Sequence, residues 1–101
     1  MSLFDLSGKS AIITGSSRGI GKAIAIAMAE QGARVVISSR KPEPCEETAH
    51  EINERFGVGT AIAVPANISS KEELQNLVDE TNAAFGKIDI VVCNAASNPF
   101  Y

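Results

Sequence analysis

The chain has 101 residues, of which 45% are hydrophobic and 21% are charged, and its net charge at pH 7 is −3. This length allows at most one domain, and the composition is that of a folded globular chain rather than a disordered one. With this net charge the chain has no sustained basic stripe, so we expect no nucleic-acid partner. The apolar runs are too short to span a membrane, and the start lacks a signal-peptide pattern. We therefore expect a cytoplasmic protein without membrane partners.

Short runs rich in isoleucine and valine predict β-strands at residues 10–14, 34–39, 60–64 and 88–94. These runs are apolar on both faces, which is typical of parallel strands covered by helices on each side. Longer segments with polar residues separate them, so strands and helices are expected to alternate along the chain. That order predicts consecutive β-α-β units.

The segments between the strands have apolar residues three or four positions apart and a glycine after the last turn, which predicts helices. The first segment is expected to bury Ile20, Ala23, Ile24, Ala27 and Met28. The second begins at Pro42 and is expected to bury Cys45, Ala49, Ile52 and Phe56. The third begins at a capping box on Ser69 or Ser70 and is expected to bury Leu74, Leu77, Val78, Thr81 and Phe85.

Together these elements predict an α/β fold with a doubly wound parallel sheet of the Rossmann type. Because crossovers between parallel strands are right-handed, the four strands and three helices are expected to form an open, incomplete sheet with helices on both faces. In such sheets ligands bind beyond the carboxyl ends of the strands, where the strand order reverses. We therefore expect the functional site in the loops that follow the strands.

The two cysteines and the single histidine offer no metal site. Cys45 and Cys93 are far apart in sequence and fit no paired-ligand spacing, so free, buried thiols are expected. His50 lies in a polar helical segment and is expected to be a solvated surface residue without a role in a site.

Three glycines stand within seven positions directly after the first strand. A glycine-rich turn lets the free N–H groups and the positive dipole end of a helix approach a phosphate. Gly15 would allow a tight exit from the strand, Gly19 the approach of the phosphate and Gly21 the packing of the helix. A magnesium-dependent phosphate loop is not indicated, because Ser16 and Ala23 occupy its required glycine and hydroxyl positions. A turn that serves packing alone remains the alternative.

The stretch TGSSRGIG at residues 14–21 resembles the cofactor fingerprint of the short-chain dehydrogenase/reductase family. The tetrapeptide CNAA at residues 93–96 is similar to the Asn-Asn-Ala-Gly motif of that family, from which it departs at its first and last positions. The resemblance implies that residues 1–101 are the dinucleotide-binding N-terminal half of a single Rossmann domain. It implies cofactor contacts at Gly15, Ser17, Arg18, Gly19, Ile20, Gly21, Asn94 and Ala95. Ser16 and Ser17 could either cap the helix or bond the ribose.

The choice of nucleotide depends on positions around the end of the second strand. NAD-binding sheets usually carry a carboxylate there for the ribose hydroxyls, whereas this chain continues into Arg40 and Lys41. In similar family members, basic residues at the positions of Arg18 and Arg40 hold the 2′-phosphate of NADP, so NADP is favoured over NAD. The alternative is that Arg40 and Lys41 lie in a solvated turn and bind no phosphate. Asn67 stands where the family usually has an aspartate that contacts the adenine amino group, and its carbonyl could accept the same hydrogen bond.

The resemblance implies an oxidoreductase that interconverts a small carbonyl compound and an alcohol, with catalytic Ser, Tyr and Lys outside this chain. We assign no catalytic role to Ser97 or Tyr101, because neither has the required partners in the sequence. The continuation at residues 98–100 is similar to carbonyl and retinal reductases of the family. We expect the 101 residues alone to be inactive and their open sheet edge to favour homo-oligomers. The alternative is a separate nucleotide-binding or interaction module without catalysis.

Overall fold

The computed structural model describes residues 5–94, in which strands and helices alternate as the sequence predicts. Their bounds are β1 (Ser10–Thr14), α1 (Gly19–Glu30), β2 (Arg34–Ser38), α2 (Pro42–Phe56), β3 (Ala61–Ala63), α3 (Lys71–Phe85) and β4 (Ile90–Cys93). The last three strands are one to three residues shorter than predicted, because residues near the strand ends already belong to the loops.

The described strands form a parallel sheet in the order β3-β2-β1-β4. From β1 the chain moves outward to β3 and then crosses back to the other side of β1, where β4 pairs. The strand order therefore reverses between β1 and β4, which confirms the predicted Rossmann-type fold. At the carboxyl edge, Thr14 of β1 lies opposite Ser38 of β2 and Cys93 of β4.

Small residues hold α1 against the sheet, which differs from the predicted pattern. Its buried positions are Gly21, Ala25 and Ala29, spaced four residues apart on one face. Ile20 is 73% exposed, Ala23 and Ala27 are also exposed, and Ile24 and Met28 are half-buried against the core. The sequence pattern does not distinguish small apolar residues from large ones. In the structure, short side chains on the inner face allow α1 to lie close to the strands.

The helix α2 packs on the same face of the sheet as α1, and its inward residues are those that the sequence predicts. Cys45, Ala49 and Ile52 are buried, and Phe56 is half-buried against the same core cluster. Fully burying an isoleucine side chain such as that of Ile52 contributes about 1.5–3 kcal/mol. The buried side chains of α2 therefore fix its position beside the end of β2.

The helix α3 covers the opposite face, over Ile12 and Val36 of the two central strands. Its N-cap is Ser70, whose hydroxyl accepts a hydrogen bond from the Glu73 N–H, and this settles the choice between the two predicted serines. The buried positions are Leu77 and Thr81, four residues apart, with Phe85 half-buried beside them. The prediction that Leu74 and Val78 are buried is wrong: they are 38% and 37% exposed, because α3 meets the sheet along a narrower line than its apolar stripe.

The cysteines differ in environment, so the prediction of two buried thiols holds for one of them. Cys45 is buried under α2, whereas Cys93 is exposed, because β4 lies at the edge of the sheet. The His50 side chain is 74% exposed and lies 3.5 Å from the Glu54 carboxylate, as expected of a surface residue. Over residues 5–94, no group of His, Cys, Asp or Glu side chains forms a metal site, and no helix is long and apolar enough to cross a membrane.

Candidate functional site

The loop from β1 into α1 is shaped by Gly15 and Gly21. Gly15 has φ +64°, and a Cβ there would collide with the Asn94 carbonyl. Gly21 lies in the first turn of α1, where a Cβ would collide with the Gly15 carbonyl. Because both positions exclude a side chain, the first turn of α1 lies directly against the end of β1 and the start of the loop after β4.

The amino end of α1 is open to a ligand. Gly19 also has φ +64°, but nothing lies within 4 Å of where its Cβ would be. In the described part of the chain, no side chain caps α1 at Arg18 and no acidic residue stands in its first turn. The N–H groups of that turn and the positive end of the helix dipole are therefore available to an anion.

Ser16 and Thr48 hold the loop from behind. The buried Ser16 hydroxyl donates to the Ile13 carbonyl at 2.6 Å and accepts from the Ser38 N–H at 2.9 Å, so it joins β1 to β2 and is not a ribose contact. Thr48 of α2 donates its hydroxyl to the Ser17 carbonyl at 3.2 Å. Sequence reasoning missed Thr48, although its place beside Ala49 on the inner face of α2 is a signal for a buried hydroxyl. Ser17 stays half-buried at the cavity wall.

Asn94 joins the loop after β4 to the glycine loop. Its backbone N–H donates to the Thr14 hydroxyl at 3.1 Å, and its side-chain amide Nδ2 donates to the Gly15 carbonyl at 3.2 Å. The Thr14 hydroxyl in turn lies 3.4 Å from the Val92 carbonyl. These bonds cross the point where the strand order reverses, so they fix the two loops that border the site. Ala95, Ser97, Tyr101 and the 98–100 continuation lie outside the described residues.

Two adjoining cavities open at the carboxyl end of the sheet. The first, of about 480 Å³, is bordered by the loop before α1 and the turn after β2. The second, of about 270 Å³, lies between the end of β1 and the loop before α3. Gly15, Ser39, Arg40 and Asn94 border both. A further cavity of about 520 Å³ lies at the opposite end of the sheet, next to Phe56 and Phe85.

The structure brings most of the predicted cofactor residues to these two cavities. The first contains Gly15, Ser17, Arg18, Gly19, Ile20, Arg40, Lys41 and Asn94. The second contains Gly15, Arg40, Asn67 and Asn94. Gly21 is buried behind the loop and supports it without lining either cavity.

Three exposed cations surround the first cavity. Arg18 lies at the start of α1, and Arg40 and Lys41 lie in the turn between β2 and α2. None of these cations forms an ion pair with a residue in the range 5–94, where the pairs found join Lys22 to Glu51, His50 to Glu54 and Lys87 to Asp89. Their charge is therefore free to attract an anionic group in the cavity.

The turn that carries Arg40 is supported from below by Cys45. The Cys45 Sγ lies 3.1 Å from the Ser39 hydroxyl. Burial raises the pKa of the Cys45 thiol above its ordinary value of 9.0, so the group stays neutral and packs as a small apolar side chain. Sequence reasoning did not single out Ser39, which contributes to both cavities because strand β2 ends before it.

Asn67 lies at the second cavity with its amide fixed by backbone contacts. Its Oδ1 accepts a hydrogen bond from the Ser69 N–H at 2.9 Å, and its own N–H donates to the Glu73 carboxylate at 2.7 Å. The oxygen expected to meet adenine thus already accepts one hydrogen bond at the start of α3.

Comparison with known proteins identifies relatives over most of the chain. A family model described as short chain dehydrogenase matches residues 9–100. Tropinone reductase-like 3 from Erythroxylum coca is 44% identical over 92 residues, which cover 91% of this chain and 35% of that protein. Short-chain dehydrogenase/reductase SDRA from Arabidopsis thaliana is 43% identical over 94 residues, covering 93% and 36%. The chain spans about a third of the length of these curated relatives.

Solved structures share the same arrangement of strands and helices. Hydroxysteroid dehydrogenase from Escherichia coli superposes with a TM-score of 0.85 at 43% identity, covering 91% of this chain and 38% of that one. L-Sorbose reductase from Gluconobacter frateurii, solved in complex with NADPH and L-sorbose, superposes with a TM-score of 0.86 at 38% identity, covering 93% and 36%.

Proposed function

Because the chain belongs to the short-chain dehydrogenase family, we propose that residues 1–101 form the cofactor-binding half of a single Rossmann domain in a nicotinamide-dependent oxidoreductase. One observation carries the proposal: the uncapped amino end of α1 and three unpaired cations border the same cavity within residues 5–94. The bound cofactor would exchange a hydride in the interconversion of a carbonyl compound and an alcohol. Catalytic Ser, Tyr and Lys are expected outside these residues.

The diphosphate of the cofactor is placed at the first turn of α1. Backbone N–H groups there donate to phosphate oxygens, and the helix dipole adds about 0.3–1 kcal/mol for each favourable charge at an exposed helix end. The open space beside Gly19 lets a phosphate approach the backbone. Asn94 donates a hydrogen bond to the Gly15 carbonyl, and Thr48 donates one to the Ser17 carbonyl. These two bonds fix the backbone of the loop whose N–H groups bind the anion.

NADP is proposed as the preferred cofactor. Arg18, Arg40 and Lys41 border the cavity beside the end of β2, and no carboxylate belongs to the described lining of that cavity. A hydrogen bond between a cation and the 2′-phosphate is worth about 1.5–3 kcal/mol, and 1.4 kcal/mol corresponds to a tenfold difference in affinity. Since these cations are exposed, we expect the preference to weaken as salt is added.

This proposal is tested by measuring the dissociation constants of NADPH and NADH for the protein as it occurs naturally. We expect NADPH to bind at least about tenfold more tightly, from one retained cation-phosphate bond. The double variant Arg18→Ala and Arg40→Ala should lose most of this preference while NADH binding changes little. Arg55→Ala, which removes an exposed cation on α2 beside Phe56, serves as the matched control. Equal affinity of the unmodified protein for both nucleotides would contradict the NADP assignment.

One observation favours the alternative of a separate nucleotide-binding or interaction module. Val91 on β4 is 57% exposed and Cys93 is exposed beside it, so the β4 side of the sheet could pair with another chain. Turnover distinguishes the two functions: the interaction module would bind a nucleotide without any change in absorbance at about 340 nm during incubation with carbonyl substrates. Homo-oligomers and a cytoplasmic location stay predictions from the sequence.

A further inference from the structure

The cavity of about 270 Å³ combines apolar and polar wall residues, as expected of a site for a nucleotide base. This inference rests on the proposed function. Ala66 and Ile68 supply apolar surface from the loop before α3, and Ile68 is 52% exposed. Gly15 and Asn94 close the opposite side, next to the cavity assigned to the phosphates. Polar atoms at this cavity therefore determine which base edge is recognised.

The orientation of the Asn67 amide follows from its contacts. A backbone N–H can only donate, so the Asn67 atom that lies 2.9 Å from the Ser69 N–H is the oxygen Oδ1. The remaining polar atom of the side chain is Nδ2, which carries two hydrogens and bonds no other residue within the range 5–94. Asn67 is half-buried at the cavity wall, and among residues 5–94 this amide nitrogen is the polar atom of its side chain that has no partner.

We propose that Asn67 donates a hydrogen bond from Nδ2 to the cofactor base and thereby makes the site tolerant of a 6-oxopurine in place of adenine. A donor beside position 6 of the base can bond the O6 of hypoxanthine directly. The amino group of adenine is itself a donor, so with adenine the same donor would bond the neighbouring ring nitrogen N7. An aspartate in the same orientation would keep one oxygen on the Ser69 N–H and present the other as an acceptor. That acceptor suits the amino group of adenine and repels O6.

Binding of NADPH and of its hypoxanthine analogue to the natural-length protein tests the proposal, with fluorescence of the reduced nicotinamide as the readout. For the unmodified protein we expect the two dissociation constants to agree within about threefold, since the same donor serves both bases. In Asn67→Asp the adenine form should be favoured by at least about tenfold, as expected of one charge-assisted hydrogen bond gained and one repulsion added. Asn76→Asp, an exposed residue of α3 away from the cavity, adds the same charge and should leave the ratio unchanged.

The outcomes separate this inference from the proposed function. An equal preference for adenine in the unmodified protein and in Asn67→Asp would overturn the inference alone. Failure of the unmodified protein to bind either nucleotide would overturn the proposed function and the inference with it. If circular dichroism shows that Asn67→Asp is unfolded, Asn67→Ala takes its place. An affinity of Asn67→Ala for the hypoxanthine analogue that is at least about threefold lower supports the inference, and an unchanged affinity overturns it.

Discussion

Buried hydroxyl groups hold the proposed phosphate loop in place at the scale of single residues. Thr48 is 2% exposed and donates to the Ser17 carbonyl, so α2 restrains a loop that is distant in sequence. Removing a buried hydrogen-bond partner costs about 1–3 kcal/mol, because the group left behind loses its bond without regaining water. Thr48 is thus a positioning residue, because it bonds the loop and lines neither of the two cavities at the site.

Thr48→Val should lower the free energy of unfolding by about 1 kcal/mol and weaken NADPH binding severalfold, because the Ser17 carbonyl loses its partner. Thr81→Val is the matched control. Thr81 is equally buried and donates to the Leu77 carbonyl at 2.7 Å, but it lies within α3, away from the loop. Urea unfolding and nucleotide titration of both variants check the prediction. Equal NADPH affinities in the two variants would contradict a positioning role for Thr48.

At the scale of elements, Asp89 fastens β4 to β1 at the amino end of the sheet. Its carboxylate accepts from the Ser10 N–H at 2.9 Å and lies 3.1 Å from the Lys87 Nζ, while the Ser10 hydroxyl donates to the Lys87 carbonyl. The hydrogen bond from the Ser10 backbone is the main cause that lowers the pKa of Asp89 from its ordinary value of 3.8, with Lys87 adding to it. β4 is thereby held on the side of β1 where the strand order reverses.

The lowered pKa of Asp89 makes stability depend on acid pH. The ionised carboxylate stabilises the fold at pH values above 3.8, and this contribution is lost as the pH falls through the folded-state pKa. Asp89→Asn should therefore be less stable than the unmodified protein at pH 7, and the difference should shrink as the pH falls below 3.8. Urea unfolding across this range measures it.

Asp79→Asn provides the control for Asp89, because it removes an exposed carboxylate bonded to Gln75 within one helix. Its effect at neutral pH should stay within about 0.5 kcal/mol. A stability difference between Asp89→Asn and the unmodified protein that persists unchanged below pH 3.8 would contradict the assigned role of the carboxylate.

At the scale of the whole molecule, the sheet is covered unevenly. One face carries α1 and α2 over a continuous core, whereas α3 covers the other face near β1 and β2. Val91 of β4 pairs with Ile12 and points to the α3 face, yet it is 57% exposed. Leu74 and Val78 of α3 are exposed on the same face, so the described residues leave apolar surface there uncovered.

We therefore expect the 101-residue chain studied by itself to associate with increasing concentration, since an exposed apolar edge strand pairs readily with other chains. Val91→Lys should shift the association to concentrations at least about tenfold higher, because a charge on an edge strand opposes pairing. Val58→Lys, at a turn residue that is 99% exposed, adds the same charge elsewhere. Sedimentation across a concentration series checks this, and a chain that remains monomeric at high concentration would count against it.

The local sequence pattern predicted where the strands and helices lie better than it predicted which helix residues are buried. Alternation of apolar runs with capped and glycine-terminated segments was enough to place α2 and α3 within a residue or two. The glycine motif predicted that Gly21 packs against the strand, but the periodicity could not show that Ala25 and Ala29 also face the sheet while Ile20 faces solvent. That choice depends on how closely α1 approaches the strands, which is a property of the packed molecule.

The sequence by itself determined the parallel α/β order, the glycine loop and the cations after β2, because these depend on backbone freedom, periodicity and charge at neighbouring positions. The tertiary structure decided that Thr48 and Asn94 brace that loop from other elements, that Cys93 is exposed, and that the Asn67 Oδ1 accepts from the Ser69 N–H at the cavity wall. These are contacts between residues far apart in the chain, or atoms oriented by a neighbouring turn. Residue order alone leaves such distances and orientations open, and folding fixes them.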